Sequence, residues 1–132
     1  MYNRLKNSSI FASAGILALQ MILVSGLDAE GDANQGKRVF QRCKACHALR
    51  PGQHRVGPSL HGVFGREAGS ADGFDGYSRG MRDLNITWTE GNLLEFIQAP
   101  ALMVQRTRCK AGMVNNEQDR INLVEYLKQA SD

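Results

Sequence analysis

The pattern of apolar and polar residues predicts a helix near the start of the globular part of the chain. Asp32 is a suitable N-cap, and Ala33, Gly36, Phe40 and Cys43 follow it at helical intervals. These four positions fall on one face of a helix. The pattern therefore predicts an amphipathic first helix that ends beside Cys43.

A second helix is predicted at the C-terminal end. Asn116 can cap it, and Glu117 and Asp119 place acidic side chains in its first turn, where the positive end of the helix dipole favours them. The apolar face of this helix consists of Ile121, Leu123, Val124, Tyr126 and Leu127.

The middle of the chain is rich in glycine and predicts loops. Eight glycines lie before Thr87, at positions 52, 57, 62, 65, 69, 73, 76 and 80. They leave little room for long helices or strands, so this region buries little apolar surface by itself. A prosthetic group would supply the missing apolar core.

The first 26 residues differ from the rest, because two basic residues precede a mostly apolar run. This composition is typical of an export signal. Cleavage after Gly26 or Ala29 and retention of residues 7–26 as a membrane anchor both stay open, since the run is close to the roughly 18 residues that can begin to span a bilayer. Either outcome predicts a single domain, residues 27–132, on the periplasmic side of a membrane.

Composition and charge add limits on function. The chain has 132 residues, 42% hydrophobic and 22% charged, which suits one compact domain. Its formal charge of +3 becomes +1 without residues 1–26, with 14 basic residues against 13 acidic ones, and this excludes nucleic-acid binding driven by bulk charge. The cations are candidates for a docking face or an ordinary solvated surface; those flanking the cysteines are Lys44, Arg50, Arg55, Arg106, Arg108 and Lys110.

Cys43, Cys46 and His47 form the pattern C-x-x-C-H, which is typical of covalent haem attachment. Two thiols at this spacing can add to the two vinyl groups of one porphyrin, and the adjacent imidazole then faces the iron. A thioredoxin-like redox pair would need a βαβ context, whereas the residues before Cys43 predict a helix. A zinc site would need a second ligand pair at suitable spacing, which the remaining cysteine and the loop histidines His54 and His61 do not provide.

Four segments resemble a known family: GDANQGKRVF, CKACHALRPGQHRVGPSLHGVFGR, ITWTEGNLLEFIQAP and NEQDRINLVEYLKQA. In their order and spacing the chain resembles the class I cytochromes c of the mitochondrial and bacterial c2 type, over residues 31–132. The resemblance implies an all-α fold of a few helices and long loops around one covalently attached haem c. It also implies terminal helices that cross at a glycine, here Gly36.

The same resemblance assigns roles to individual residues. Cys43 and Cys46 would form the thioethers, and His47 would be the proximal ligand to the haem iron. Pro58 matches the proline whose carbonyl accepts a hydrogen bond from the proximal imidazole. The residues that match those around the inner haem propionate are Arg66, Tyr77 and Trp88.

The sixth iron ligand stays open. Relatives supply a methionine from a loop of the approximate form P-G-T-K/R-M, and counting without gaps from Trp88 places Cys109 at that methionine. Phe96 stands where relatives often have a tyrosine that approaches the sulfur. The alternatives are ligation by Met113 or Met103, an open iron position, and a link between two molecules through Cys109.

Ligation by a Cys109 thiolate is favoured by Arg106, Arg108 and Lys110 beside it, which would lower its pKa. A thiolate donates charge to the iron, so this hypothesis predicts a reduction potential below that of methionine-ligated relatives.

The resemblance implies an electron-transfer protein rather than an enzyme. It would carry single electrons between redox protein partners that dock near the haem edge, in a periplasmic or membrane-associated chain. The alternative is catalysis or sensing at a cysteine-ligated or open iron, with a sulfur compound, peroxide or a small gas. The sequence identifies no distal histidine or carboxylate for such chemistry.

Overall fold

The computed structural model describes residues 30–109 and 114–130. Its α-helices are α1 (Ala33–Val39), α2 (Arg79–Arg82), α3 (Glu90–Gln98), α4 (Pro100–Met103) and α5 (Glu117–Ala130). A 3₁₀ turn, Phe40–Arg42, continues α1. Within the described residues, strand-like pairing is confined to one antiparallel bridge between Glu67 and Thr87. The predicted all-α class is confirmed.

The predicted export signal or anchor, residues 1–26, lies outside the described residues, as does its boundary with the domain at residue 27. None of the helices in the described part of the chain is long and apolar enough to cross a membrane.

Helix α1 begins and ends as its sequence predicts. The Asp32 side chain accepts hydrogen bonds from the backbone N–H groups of Asn34 and Gln35, at 2.8 and 3.2 Å. Such N-cap bonds satisfy donors that have no partner inside the helix. The 3₁₀ turn ends at Arg42, so the helical stretch delivers the chain directly to Cys43.

Helix α5 also follows its prediction. The Asn116 side chain accepts a hydrogen bond from the Asp119 backbone N–H at 2.9 Å. Leu123, Val124 and Leu127 are buried, with at most 4% of each exposed. This apolar face packs into the core of the domain.

The two terminal helices cross at Gly36, as the resemblance implies. A Cβ atom at Gly36 would overlap the backbone carbonyl of Asn122 and lie 2.7 Å from the Cβ of Tyr126. The rings of Phe40 and Tyr126 pack 5.6 Å apart between centroids, and the Asp32 N–H donates to the Asn122 side chain at 2.8 Å. Only glycine permits this close approach of the backbones.

Helix α3 begins at a capping box that positions its apolar face. The Thr89 hydroxyl accepts from the Asn92 N–H at 3.3 Å, and the Asn92 side chain accepts from the Thr89 N–H at 2.8 Å. Pro100 then opens α4, where its missing N–H costs no helical hydrogen bond. Phe96, on α3, and Pro100 both line the interior cavity described next.

The apolar core surrounds a cavity of about 590 Å³. Its walls include much of the buried core, namely Phe40, Val63, Trp88, Leu93, Val114, Leu123 and Leu127. The protein therefore builds its core around a space of the size that holds cofactors, typically about 300–1,000 Å³.

Candidate haem site

The chemistry predicted from the sequence converges on this one cavity. Cys43, Cys46, His47 and Cys109 all line it, although Cys109 lies more than 60 positions further along the chain. Two segments carry these residues: the proximal segment, residues 43–60, and the distal segment, residues 104–109.

The imidazole of His47 is held in one orientation by a hydrogen bond between its Nδ1 and the carbonyl oxygen of Pro58, at 2.7 Å. Because a carbonyl can only accept, Nδ1 carries the proton and donates it. The other ring nitrogen, Nε2, then keeps its lone pair, which is the form of histidine that binds metals.

Gly57 makes room for this ring. A Cβ atom at Gly57 would overlap the imidazole of His47, lying 2.9 Å from both of its nitrogens. The Gly57 N–H donates to the carbonyl of Cys46 at 2.8 Å, and the Leu60 N–H donates to the carbonyl of Ala48 at 2.9 Å. The sequence predicted Gly57 only as a loop glycine. Its position directly before Pro58 was the signal that it lies against the His47 ring.

Burial shifts the pKa values of two groups in this segment. It lowers the pKa of His47, and the nearby Arg66 guanidinium lowers it further, while the bond to Pro58 acts in the opposite direction. Burial raises the pKa of the Cys43 thiol to about 11, with Cys109 adding to the rise and Arg42 opposing it. In the haem-free chain at pH 7, His47 is therefore neutral and Cys43 is a thiol.

Arg66 brings a cation to the cavity wall. Its two terminal nitrogens donate to the carbonyl oxygens of His61 and Ser59, each at 3.0 Å. Its Nε is buried and has no hydrogen-bond partner among the described residues. An unsatisfied buried donor costs about 1–3 kcal/mol. A carboxylate in the cavity, such as a haem propionate, would satisfy it.

Tyr77 and Trp88, the other two residues predicted beside that carboxylate, also line the cavity. The Tyr77 hydroxyl oxygen accepts from the Ala71 N–H at 3.2 Å, which leaves its own O–H able to donate. Trp88 is 6% exposed, and its backbone N–H donates to the carbonyl of Arg66 at 2.9 Å. The backbone thus places Trp88 next to Arg66.

The distal segment turns in a way that supports the ungapped register. The Thr107 N–H donates to the Val104 carbonyl at 3.2 Å, and the residue between them at the third turn position, Arg106, has φ of +54°. Turns of this kind favour glycine at that position, because L-residues are strained there. The register places Arg106 at the glycine of the family loop, and so Cys109 at its methionine.

The candidate sixth ligands differ in what the described residues show of their relation to the cavity. Met103 packs against the hydrophobic core and is not among the side chains of the described residues that line the cavity. Met113 lies outside the described residues. Cys109 lines the cavity, and its backbone N–H donates to the Thr107 hydroxyl at 3.1 Å.

His54 lies in a hydrogen-bonded loop, as predicted. Its Nδ1 accepts from the Ser59 N–H at 3.0 Å, so its Nε2 carries the proton and donates to the carbonyl of Asp72 at 2.8 Å. Both ring nitrogens are therefore engaged with the backbone.

A covalently attached haem fits these residues. The cavity has two thiols at the required spacing, a neutral imidazole with an available lone pair, and a buried donor without a partner at its wall. The rest of the wall is mainly apolar, as suits the apolar face of a porphyrin.

Known proteins share this pattern. The family model Cytochrome c matches residues 33–131. Cytochrome c2 of Rhodoblastus acidophilus is 43% identical over 100 residues, which cover 75% of this chain and 92% of that protein. Cytochrome c2 of Blastochloris viridis is 39% identical over 102 residues (76% and 80%), and cytochrome c of Stellaria longipes is 35% identical over 104 (77% and 95%). The chain therefore belongs to the cytochrome c family, whose members are electron carriers with one covalently attached haem c.

Proposed function

We propose that this protein carries single electrons between redox partners in the periplasm, on a haem that Cys43, Cys46 and His47 would hold, with Cys109 as the second protein ligand to its iron. The observation that carries the proposal is the meeting of these four side chains at one cavity. The protein is a c-type cytochrome and an electron carrier rather than an enzyme.

When bound, the haem supplies one-electron redox chemistry by alternation of its iron between the ferric and ferrous states. The chain's residues keep the site unchanged during that alternation. The carbonyl of Pro58 fixes the His47 ring and raises its basicity as a ligand. Gly57 lets the backbone press against the same ring, so its orientation has little freedom.

The acidic groups of the haem would be neutralised where Arg66 and Tyr77 line the cavity. Arg66 offers a buried Nε there, and Tyr77 offers its hydroxyl. A carboxylate buried in an apolar wall is costly unless such donors reach it. Trp88 excludes water from the same wall.

Ligation by Cys109 rests on two independent supports. Its side chain lines the cavity, and the left-handed conformation of Arg106 fits the register that puts Cys109 at the ligand position. A bound ferric iron would favour the thiolate form of Cys109 over the thiol. Thiolate ligation favours the ferric state and lowers the potential.

Spectra and redox titration of the ferric holoprotein test this ligand. We expect Cys109→Met to raise the potential, Cys109→Ala to change the low-spin electron paramagnetic resonance signals, and Met113→Ala to change neither. A potential unaltered in Cys109→Ala would disprove ligation by Cys109. Spectral loss in Met113→Ala instead would identify Met113 as the ligand.

The docking surface is proposed at the cationic rim of the cavity. Arg42 and Arg108 line the cavity and are exposed, and Val56, with 80% of its surface exposed, lies at the same cavity. An acidic partner would be steered by such cations. Reduction rates with an acidic redox partner should fall steeply as salt is added, and less steeply for an Arg42→Gln, Arg108→Gln variant. A flat salt response in the wild type would refute the docking surface.

The periplasmic location rests on the composition of residues 1–26. We favour export with either cleavage or retention of this segment. Mass spectrometry of the holoprotein, from separated periplasmic and membrane fractions, would decide between the two. Recovery of the full-length chain from the cytoplasm alone would contradict export.

A further inference from the structure

Helix α2 lies against the distal segment at a glycine. A Cβ atom at Gly80 would overlap the backbone carbonyl oxygen of Gln105 and lie 3.3 Å from the Cγ1 atom of Val104. Two stretches of backbone come this close only where a side chain is missing. Helix α2 and the distal segment are therefore in direct backbone contact at Gly80.

The contact falls on the central peptide of the distal turn. That turn runs from Val104 to Thr107 and is closed by the bond between the Thr107 N–H and the Val104 carbonyl. The Gln105 carbonyl belongs to the peptide bond between the two central residues, the second of which is Arg106, with φ of +54°. Gly80 therefore limits where this central peptide can lie.

Helix α2 is also fixed independently of the distal segment. A Cβ atom at Gly69 would lie 2.9 Å from the Cα atom of Arg82 and 3.0 Å from the carbonyl oxygen of Met81, so a second stretch of backbone lies against the helix. The Ser78 hydroxyl caps α2 by accepting from the Met81 N–H at 3.2 Å. The Met81 side chain lines the cavity. Helix α2 thus has little room to move away from the distal turn.

The distal segment is fixed at its start and leads to the proposed ligand at its end. Val104 is 1% exposed, and its N–H donates to the carbonyl of Pro100 at 2.9 Å. Beyond the turn, the Cys109 N–H donates to the Thr107 hydroxyl at 3.1 Å. Because α2 and Val104 are both held, a shift of the turn passes to the residues after it. Those that line the cavity are Thr107, Arg108 and Cys109.

We infer that Gly80 is a positioning residue for the distal segment and, through it, for Cys109 as an iron ligand. By lacking a side chain, it lets the distal turn lie against α2, and this contact fixes where Cys109 stands in the cavity. This role rests on the proposed function, in which Cys109 is the sixth ligand. A methyl group added at Gly80 overpacks the contact and displaces the turn. The displaced ligand binds the iron less tightly, so an outside ligand competes for the iron more successfully.

Imidazole titration of the ferric holoprotein, followed by visible absorbance, tests this role in Gly80→Ala. We expect imidazole to bind at least about tenfold more tightly than in the wild type, because overpacking of the usual size weakens the competing bond by such a factor. The low-spin electron paramagnetic resonance signals of the imidazole-free protein should also shift, since they report the geometry of the iron ligands.

The matched control is Gly91→Ala. Gly80 and Gly91 are each the second residue of a helix, α2 and α3, and neither has a positive φ, so alanine improves helix propensity equally at both. A Cβ atom at Gly91 would meet only the Thr89 hydroxyl oxygen, at 4.0 Å. Gly91→Ala should bind imidazole as the wild type does.

Imidazole affinity of Gly80→Ala within about twofold of the wild type would overturn this role. That result would mean that the turn absorbs the methyl group without moving the ligand, and it would count even if the variant unfolds more easily. If Gly80→Ala yields no holoprotein, Gly80→Ala and Gly91→Ala are compared in an Arg106→Gly background, where the turn is less strained. The same criterion then decides.

The same pair of variants in a Cys109→Ala background separates this role from the proposed ligand. If Cys109 is the ligand and Gly80 positions it, Cys109→Ala alters the resonance signals and abolishes the contrast between the two glycine variants. If Cys109→Ala leaves the signals unchanged and the contrast persists, the proposed ligand fails while positioning by Gly80 stands. If Cys109→Ala alters the signals but the contrast is absent from the start, the ligand stands and the role of Gly80 fails.

Discussion

The proximal and distal segments line the same cavity but are fixed by different means. The proximal segment is tied to itself by backbone bonds, such as Gly57 to Cys46 and Leu60 to Ala48, and the Pro58 carbonyl fixes the His47 ring. The distal segment has a backbone turn from Val104 to Thr107, and it relies beyond that on side-chain bonds, with Arg108 bonded to Gly76 and the Thr107 hydroxyl bonded to Cys109. It also contains an arginine in a conformation that favours glycine.

The difference teaches where such a protein can change. A ligand that the backbone fixes depends on a few residues that cannot be exchanged. One must lack a side chain, and another must present its carbonyl group at a fixed place. A loop fixed by side chains can exchange residues one at a time, because each bond contributes modestly. On the ungapped register, the expected departures from the family loop at Gln105, Arg106 and Cys109 would lie in the second kind of segment.

The largest effect should follow a change behind the proximal ligand. In Gly57→Ala, a methyl group overlaps the His47 ring, and we expect the free energy of unfolding of the holoprotein to fall by about 3 kcal/mol or more. Chemical denaturation followed by absorbance measures this loss. Gly52→Ala is the control: Gly52 has φ of +65° and no atoms near its missing Cβ, so only backbone strain of about 1–2 kcal/mol applies. Equal losses of unfolding free energy in Gly57→Ala and Gly52→Ala would show that the contact with His47 does not determine stability.

A smaller loss of unfolding free energy is expected when Arg66, which donates to the proximal segment, is replaced. Arg66→Met leaves the carbonyls of Ser59 and His61 without their donors, which should cost about 2 kcal/mol of unfolding free energy. Arg82→Met is matched to it, because Arg82 also donates to a carbonyl, that of Tyr77, but is exposed. The shift of the denaturation midpoint, with the denaturant dependence of the unfolding free energy unchanged, measures the loss in each variant. A loss for Arg66→Met no larger than that for Arg82→Met would be the contrary result.

The distal turn should respond in the opposite direction. Arg106→Gly relieves a left-handed residue, whose strain of about 1–2 kcal/mol exceeds the entropic cost of a glycine of about 0.5–1 kcal/mol, so the holoprotein should gain about 0.5–1 kcal/mol. Arg106→Ala removes the same charge but keeps a Cβ, and should bring no such gain. If thermal or urea denaturation gives the same stability for Arg106→Ala as for Arg106→Gly, then the lost charge, not backbone strain, determines stability at this turn.

The smallest effect belongs to the exposed distal bond. Arg108→Gln should change the unfolding free energy by at most about 0.5 kcal/mol, because its bond to Gly76 competes with water. The same denaturation experiment measures it. A loss above about 1 kcal/mol would mean that the two segments are held equally firmly, and the comparison would fail.

The parts of the fold that were predictable are those encoded locally. The caps at Asp32 and Asn116 depend on neighbouring residues, and the structure has both. The contact of Gly36 with Asn122 joins distant residues and was expected from the family resemblance; the structure has it as well. Helices α2 and α4 were not predicted, because four residues give no periodic pattern. The loops that line the cavity have no apolar period, so the sequence pattern does not describe their path.

The candidate site divides in the same way. The haem motif and the residues matched by resemblance were available from the sequence, and the structure brings those among the described residues to one cavity. Two contributions were not available. Gly57 contributes by lacking a side chain where the His47 ring lies. Arg120 is buried on α5, where a charged residue is expected to face solvent, and it donates to the carbonyls of Val114, which lines the cavity, and Asn115.

The crossing of α1 and α5 has a consequence for the order of events during synthesis. The bond from Asp32 to Asn122 joins residues 90 positions apart, so the domain cannot close until its last helix has been made. At about 5–20 residues per second, the ribosome needs roughly 4 to 15 seconds to extend the chain from Cys46 to Asn122. Until α5 packs on α1, Cys43 and Cys46 belong to an unclosed chain, and their thiols stay within reach of a porphyrin that the finished fold would enclose.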